Sequence, residues 1–183
     1  MELTDELRQR IRTIPDFPKP GIAFKDVTPV FQDPTLMRRV IDALCATRVG
    51  EGFDVVGGIE ARGLVLGAPI AHAYNKPFFP FRKPGKLPWE TMREAYQLEY
   101  GEDALEIHAD AFAPGARVLI VDDLLATGGT ATAAVRLVKR AGGELAGLTF
   151  LVELSFLKGR ALLEAEGLKR DRIESLIAFA AGE

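Results

Sequence analysis

Cysteine, histidine and tryptophan are scarce in this sequence. Its 183 residues include one cysteine, two histidines and one tryptophan. A single cysteine, Cys45, excludes a disulfide within the chain, and we expect it to be a small core residue of a helix. The histidines, His72 and His108, lie far apart in the sequence and match no spacing of metal ligands. We therefore expect no disulfide framework and no metal ion held directly by the protein.

A long apolar segment and a strong excess of one charge are also lacking. No stretch is long and apolar enough to span a bilayer, and the charged residues 1–12 contain no apolar core of a signal peptide. The formal net charge is -3 and the pI is about 5.6, whereas general nucleic-acid binders rely on a basic surface. We therefore expect a cytoplasmic protein without nucleic-acid or membrane partners, in which any anion site is local.

The length and the hydrophobic pattern predict one α/β domain. With 48% hydrophobic residues, the chain is long enough for one sizeable core. Apolar runs predict strands at residues 53–59, 77–82, 118–121, 145–154 and 173–178. Helical patterns lie between most of them, and this alternation predicts a mostly parallel, twisted sheet with helices on both faces.

The remaining segments predict smaller elements. The chain is expected to open with a helix capped by Thr4, and Asp33 with Pro34 is expected to begin another. Residues 83–93 combine prolines, a glycine and charges, which predicts a mobile loop. Alternating residues after it predict a hairpin that turns at residues 101–103.

The most informative stretch is residues 118–130. Its first four residues are apolar and predict a strand buried on both faces, whose carboxyl end is where parallel sheets bind ligands. The loop that follows consists of Ala126, Thr127, Gly128, Gly129 and Thr130. Glycines let backbone amides approach an anion, hydroxyls donate hydrogen bonds, and a helix amino terminus favours negative charge. We therefore predict a phosphate site, which Gly128→Val should block while leaving the fold mostly intact.

Two adjacent acids, Asp122 and Asp123, connect this strand to the loop. Carboxylates repel phosphate, so we expect them to accept hydrogen bonds from a ribose ring or to face a metal bound to it. A buried strand with a glycine-rich turn would explain the apolar run and the glycines, but it does not explain two adjacent acids. The run therefore predicts a site for a phosphorylated sugar.

Charged residues at three other places suggest further parts of a site. Residues 57–63 place glycines and Arg62 at a strand end, where the guanidinium could bind a phosphate or form a surface ion pair. Arg82, Lys83 and Lys86 begin the predicted loop, and such a run is also typical of a solvated turn. Glu99 could hold a proton of an incoming base or be an exposed strand glutamate.

Residues 118–130 resemble the phosphoribosyl-pyrophosphate (PRPP) signature of the type I phosphoribosyltransferases, in the form found in adenine phosphoribosyltransferases. The resemblance covers residues 11–160 and four motifs in the same order. It implies the type I phosphoribosyltransferase fold in a single domain, residues 1–183, with a hood over the base at 1–35 and a mobile loop and hairpin arm at 83–100. It also implies the conversion of adenine and PRPP to AMP and pyrophosphate, a step of purine salvage, with Mg²⁺ carried by PRPP, in a homodimer.

The same resemblance implies a role for each candidate residue. Phosphate would be bound by residues 126–130 and ribose by Asp122 and Asp123. Pyrophosphate would be bound by Glu60, Ala61, Arg62, Arg82, Lys83 and Lys86, with a non-proline cis peptide at Glu60–Ala61 and with some basic residues acting from the neighbouring subunit. Adenine would be bound by Ala23, Phe24, Lys25 and Leu124, largely through backbone groups at Ala23 and Lys25.

For catalysis, the resemblance implies Glu99 and Arg62, and it implies that Tyr100 closes the loop. Two alternatives remain open at this stage. One is a phosphoribosyltransferase for another base, such as xanthine or orotate. The other is a regulator with this fold that senses PRPP and binds nucleic acid.

Overall fold

The structure, a computed structural model, describes residues 1–47, 52–98 and 101–183. By its internal contacts the chain divides into two compact units, Met1–Ala43 and Leu44–Glu183. The division falls inside one helix, Pro34–Cys45. Each unit is described by itself below.

The first unit combines short helices with a two-stranded sheet. Its elements are α1 (Leu3–Arg10), β1 (Arg12–Ile14), β2 (Phe24–Asp26), α2 (Thr28–Phe31) and α3 (Pro34–Cys45). β1 and β2 pair antiparallel with Thr13 opposite Lys25. Asp33 begins α3 as predicted, because its Oδ1 accepts the backbone N–H groups of Thr35 and Leu36, each at 3.0 Å.

The predicted cap of the first helix is wrong. Thr4 lies inside α1, which begins at Leu3 after an extended Glu2. Neither residue supplies a capping bond, since the structure gives this end no side-chain cap. Leu3 is already helical, so the apolar repeat that predicted the helix runs to its first residue and leaves no room for Thr4 outside it.

The second unit contains the predicted parallel sheet. Its elements are β3 (Val55–Ile59), α4 (Arg62–Ala73), β4 (Phe78–Phe81), β5 (Thr91–Leu98), β6 (Gly101–His108), β7 (Arg117–Leu125), α5 (Gly129–Arg140), β8 (Glu144–Leu154), α6 (Gly159–Ala165) and β9 (Ile173–Phe179). Five strands form one sheet in the order β4-β3-β7-β8-β9, and every pair is parallel. The predicted α/β class is confirmed.

Alternation along β7 explains how helices cover the sheet. Val118 and Ile120 belong to the core that includes residues of α5 and of the β5–β6 hairpin. Val121 points to the other face, where it lies against Gly67 of α4. Side chains one position apart face opposite sides of a strand, so a continuous apolar run satisfies both faces. The sheet is therefore flanked by helices, as the run predicted.

The hairpin differs from its prediction at two points. β5 and β6 pair antiparallel from Thr91 opposite His108 to Leu98 opposite Gly101. The predicted loop therefore ends earlier, because residues 91–93 are in β5, and the predicted turn at residues 101–103 lies in β6. Thr91 and Arg93 at the start of β5 are polar and exposed, so this part of the sequence resembles a loop although pairing with β6 satisfies its backbone.

Candidate active site

A cleft of about 230 Å³ lies where β3 and β7 end. These strands are neighbours in the sheet, with Gly58 opposite Val121, so the segments that follow them leave from the same edge. The cleft is lined by Glu60, Ala61, Arg62, Lys83, Asp122, Asp123, Leu124, Leu125, Ala126, Thr127, Gly128, Gly129, Thr130 and Ala131. The structure thus brings together two motifs that the sequence singled out separately.

Residues 126–130, the predicted phosphate site and called the phosphate loop below, line this cleft. α5 begins at Gly129, and its first residues line the cleft. Gly128, the residue before the helix, has a φ of +88°, a conformation that side chains other than glycine rarely adopt. Backbone N–H groups and the helix amino terminus favour a negatively charged group here.

The expectation that Gly128→Val leaves the fold mostly intact is wrong. A Cβ at Gly128 would lie 2.8 Å from the carbonyl oxygen of Gly159 and 3.0 Å from its Cα. Both atoms belong to backbone, so the two segments would have to separate. Valine would therefore disturb the packing of the loop whether or not it also blocked a phosphate.

Asp122 is buried at the base of the cleft. Its Oδ1 accepts the backbone N–H of Asp123 at 2.9 Å. The first turn of α4 lies directly against it, since a Cβ at Gly63 would be 2.9 Å from Asp122 Oδ1 and 2.6 Å from the carbonyl oxygen of Val121. Burial, with the negative charge of Asp123 beside it, raises the pKa of Asp122 well above its usual range.

We expect Asp122→Asn to stabilise the protein at neutral pH. An acid whose pKa is raised by folding costs stability as pH rises from its ordinary pKa to the raised value, and asparagine avoids this cost. Asparagine also retains an oxygen for the N–H of Asp123. Thermal unfolding should show a midpoint higher by about 2–4 °C, which corresponds to roughly 1 kcal/mol in a protein of this size. The gain should be larger at pH 8 than at pH 4.5, and an unchanged or lower midpoint at pH 8 would contradict the burial argument.

Arg62 and Asp123 form an ion pair inside the cleft. Arg62 Nε donates to Asp123 Oδ2 at 2.5 Å, and the Asp123 side chain is only 6% exposed. Arg62 therefore does form an ion pair, and its partner Asp123 is one of the two acids predicted to bind ribose. The pair connects the end of β3 to the end of β7.

Glu60 organises the start of the loop after β4. Its carboxylate accepts hydrogen bonds from Arg82 Nε at 2.5 Å and from the backbone N–H of Lys83 at 2.7 Å. Burial opposes ionisation, but these hydrogen bonds prevail and hold the pKa of Glu60 below its usual value. The Glu60–Ala61 peptide is cis, which confirms the expectation for this bond.

Among the described residues, one of the three predicted pyrophosphate residues that follow β4 lines the cleft and two do not. Lys83 lines the cleft, and its ammonium also donates to the Tyr96 hydroxyl at 2.6 Å and to the carboxylate of Asp103. In the part of the chain that the structure describes, Arg82 and Lys86 lie outside the lining, and Lys86 is exposed. A pyrophosphate contact by these two residues stays a prediction.

The start of the predicted mobile loop is fastened on two sides. Arg82 and Glu106 exchange backbone hydrogen bonds at 2.9 and 2.7 Å. The Gly85 N–H donates to the Glu106 carboxylate at 3.1 Å. These bonds attach the segment to β6, while the mobility of the rest of the loop stays a prediction.

The predicted adenine residues belong to both units. Ala23 directly precedes β2, which contains Phe24 and Lys25. Lys25 is buried and donates from Nζ to Thr13 Oγ1 at 2.8 Å, while Phe24 packs edge-to-face against Phe17 with ring centroids 5.1 Å apart. Leu124 lines the cleft in the second unit.

Two predicted site residues belong to the predicted hairpin arm. Glu99 and Tyr100 lie outside the described residues. Their roles in catalysis and loop closure therefore stay predictions.

Sequence reasoning missed Gly159, whose backbone lies against the phosphate loop. Gly159 begins α6 after Lys158, which has a φ of +58°. The only signal in the sequence was a glycine after Lys158, and nothing in that pattern indicates what the glycine contacts.

The structure gives no membrane or metal assignment. No helix within residues 1–47, 52–98 and 101–183 has the length and apolar character needed to cross a membrane. Within the same ranges, no three acidic, histidine or cysteine side chains group as metal ligands. The expectation that Mg²⁺ comes with a substrate stays a prediction.

Comparison with known proteins identifies the family. Residues 32–171 match the phosphoribosyl transferase domain family. A relative named adenine phosphoribosyltransferase, from Anaeromyxobacter dehalogenans strain 2CP-C, is 58% identical over 177 residues, which cover 97% of this chain and 100% of that protein.

Two solved structures of similar proteins agree with this match. The adenine phosphoribosyltransferase of Thermoanaerobacter pseudethanolicus has a TM-score of 0.91 and 50% identity, covering 97% of this chain and 100% of that one. The Saccharomyces cerevisiae enzyme, solved with adenine and an imino-altritol bisphosphate, has a TM-score of 0.83 and 37% identity, covering 97% of each chain. The chain therefore belongs to the phosphoribosyltransferase family, as an enzyme of its adenine phosphoribosyltransferase group.

Proposed function

We propose that the protein transfers the 5-phosphoribosyl group of PRPP to adenine, giving AMP and pyrophosphate. The observation that carries this proposal is one cleft that combines residues 126–130, the adjacent acids Asp122 and Asp123, and Arg62. Arg62 contacts Asp123, and the two acids shortly precede the loop in the chain. This arrangement suits PRPP, which has a phosphate at one end, a ribose in the middle and a pyrophosphate at the other end.

The phosphate loop binds the 5-phosphate in this proposal. Its N–H groups, the hydroxyls of Thr127 and Thr130 and the amino terminus of α5 supply donors without requiring a counter-charge from the protein surface. Such fixed donors hold an anion without reorganising when it binds. The 5-phosphate then fixes the position of the ribose for the reaction.

The acids and Arg62 act on the other half of PRPP. Asp123 accepts ribose hydroxyls, and Arg62 lies between this acid and the pyrophosphate, which leaves as its bond to the anomeric carbon breaks. The pairing of Arg62 with Asp123 at 2.5 Å supports a shared task, because the same guanidinium can contact leaving group and ribose acid. Adenine attacks from the opposite side of the ring, with inversion at the anomeric carbon. The protein contributes mainly position, neutralised charge and exclusion of water.

Magnesium belongs to the substrate in this proposal. Asp122 and Asp123 supply the oxygen atoms that Mg²⁺ prefers, but Arg62 already binds Asp123. A high pKa also makes Asp122 a poor anionic ligand. This donor set fits an ion that arrives with PRPP better than one held by the protein alone. Bound to PRPP, Mg²⁺ offsets the negative charge that develops on pyrophosphate.

The base site completes the proposal. Ala23 and Lys25 recognise adenine mainly through backbone groups, with Phe24 and Leu124 as apolar walls. The engagement of Lys25 Nζ with Thr13 supports a backbone role at this position. Glu99 holds a proton of the base during attack, and Tyr100 closes the loop. We further propose a cytoplasmic homodimer in which basic residues of the loop reach the neighbouring subunit.

The proposal is tested by incubating the purified protein with PRPP, Mg²⁺ and adenine. We expect equal amounts of AMP and pyrophosphate to form, and we expect neither when PRPP or Mg²⁺ is omitted. Release of pyrophosphate without AMP would show hydrolysis instead of transfer. Binding of PRPP with no product from any base would favour a PRPP-sensing regulator.

A further inference from the structure

We propose that Arg160 is a positioning residue for the phosphate loop, acting through Gly159. This inference rests on the proposed function, because it assigns a task to residues behind the same phosphate site. Neither Arg160 nor its partner Glu153 lines the cleft, within the residues that the structure describes. Their effect on a ligand must therefore pass through the backbone.

The first step is the contact between Gly159 and the loop. A Cβ at Gly159 would overlap the carbonyl oxygen of Ala126 and lie 3.0 Å from the backbone nitrogen of Gly128. Contact is reciprocal, because a Cβ at Gly128 would meet the carbonyl oxygen of Gly159. The two backbones touch without a side chain between them, so a shift of Gly159 displaces the N–H groups that hold the phosphate.

The second step is the fixation of the next residue, Arg160. Its Nε and Nη2 donate to the two carboxylate oxygens of Glu153 at 3.0 and 2.5 Å. Its Nη1 donates to the carbonyl oxygen of Ile173 at 2.6 Å. A planar guanidinium held at three points has little freedom to move.

The third step is the anchoring of Glu153 itself. It lies in β8 opposite Leu125, the last residue of β7 before the phosphate loop. Ser175 of β9 donates its hydroxyl to Glu153 Oε2 at 2.9 Å. The Glu153 and Arg160 side chains are only 11% and 20% exposed, so solvent weakens this pair little. The start of α6 is thereby fastened to two strands beside the loop.

The chain offers a matched control in the pair Arg136 and Glu166. Arg136 Nη2 contacts Glu166 Oε1 at 2.5 Å and joins α5 to the residue after α6. The Arg136 side chain is about half-exposed, and the pair lies at the other end of α6 from Gly159. Arg136→Gln therefore removes the ion pair at the far end of α6, together with a longer contact to Glu94 at 3.8 Å, and it does not touch the phosphate loop.

The test compares AMP with adenosine, which differ only in the 5-phosphate. Calorimetry on Arg160→Gln should show AMP binding weakened about tenfold, while adenosine binding changes less than about twofold. Arg160→Lys, which keeps the charge but loses the fork, should recover part of the loss. In turnover, the KM for PRPP should rise while the KM for adenine stays within about twofold. Arg136→Gln should change the affinity for neither AMP nor adenosine.

Two further measurements keep the proposal falsifiable. If Arg160→Gln does not fold, Ser175→Ala removes the hydroxyl that donates to Glu153 and accepts from Arg160 Nη2 at 3.5 Å. This variant should weaken AMP binding about twofold in the same selective way. Equal weakening of AMP and adenosine, or the same selective loss in Arg136→Gln, would overturn the proposal. Failure of the wild-type protein to bind AMP would overturn the proposed function instead.

Discussion

Adenine is expected to be converted to its nucleotide at least about 10⁴ times more efficiently than hypoxanthine or guanine. Adenine carries an amino donor and an unprotonated ring nitrogen where the 6-oxopurines carry an acceptor and an N–H. A base site that reads these atoms through the backbone near Ala23 and Lys25 matches only one of the two patterns. With the wrong base, buried donors would face donors and acceptors would face acceptors. These groups would stay without hydrogen bonds, which costs binding free energy.

The measurement is kcat/KM for each base at saturating PRPP and Mg²⁺. Phe24→Leu provides a control for the apolar wall, since it should raise the KM for adenine without admitting hypoxanthine. Comparable rates of AMP and IMP formation would contradict the predicted selectivity for adenine, but they would not contradict the proposed PRPP site. A preference for an oxopurine would point to a base site of the opposite polarity.

Asp123→Asn is expected to lower kcat/KM for PRPP by about 100-fold. The carboxylate accepts a charge-assisted hydrogen bond from Arg62, and an amide in its place loses the charge and adds a donor. Hydrogen bonds to charged groups contribute roughly 1.5–3 kcal/mol, which corresponds to about 10- to 100-fold in rate or affinity. The upper end applies here because both the ribose contact and the orientation of Arg62 depend on the same carboxylate.

Asp54→Asn is the matched control for this substitution. Asp54 pairs with Arg117 at 3.2 Å, so it forms an aspartate–arginine pair at the opposite end of β7. Both side chains of this pair are about half-exposed, and we expect Asp54→Asn to leave the kinetics with PRPP unchanged. Normal turnover by Asp123→Asn, or an equal loss in Asp54→Asn, would remove Asp123 from the ribose site.

The strand ends and their charged residues could be predicted because local sequence determines them. A run of four apolar residues before Asp122 and Asp123 predicted a buried strand of a parallel sheet, and the structure has it in β7. Glycines before the α5 helix predicted a loop where backbone approaches a ligand, and Gly128 has the left-handed conformation such a loop uses. Both patterns depend on neighbours in the chain.

Contacts between distant segments could not be predicted in this way. The approach of Gly159 to Gly128 depends on how α6 returns to the sheet, and no periodicity records it. Thr91 is an exposed polar residue and was therefore predicted to lie in a loop. It pairs with His108 through backbone hydrogen bonds, which do not depend on the side chain. The burial of Asp122 likewise depends on Gly63, a residue of another motif.

The parallel pairing of β3 with β7 links occupancy of the cleft to the folding of the second unit. The two halves of the cleft come from strands separated by a helix, an edge strand and a hairpin, so they meet only when these elements have been assembled. A ligand spanning both halves binds the folded chain and not the unfolded one. At a concentration of 100 times its dissociation constant, such a ligand adds about 2.7 kcal/mol to the free energy of unfolding. A larger supply of substrate in the cell would therefore lower the unfolded fraction of this protein and, with it, the fraction open to proteases.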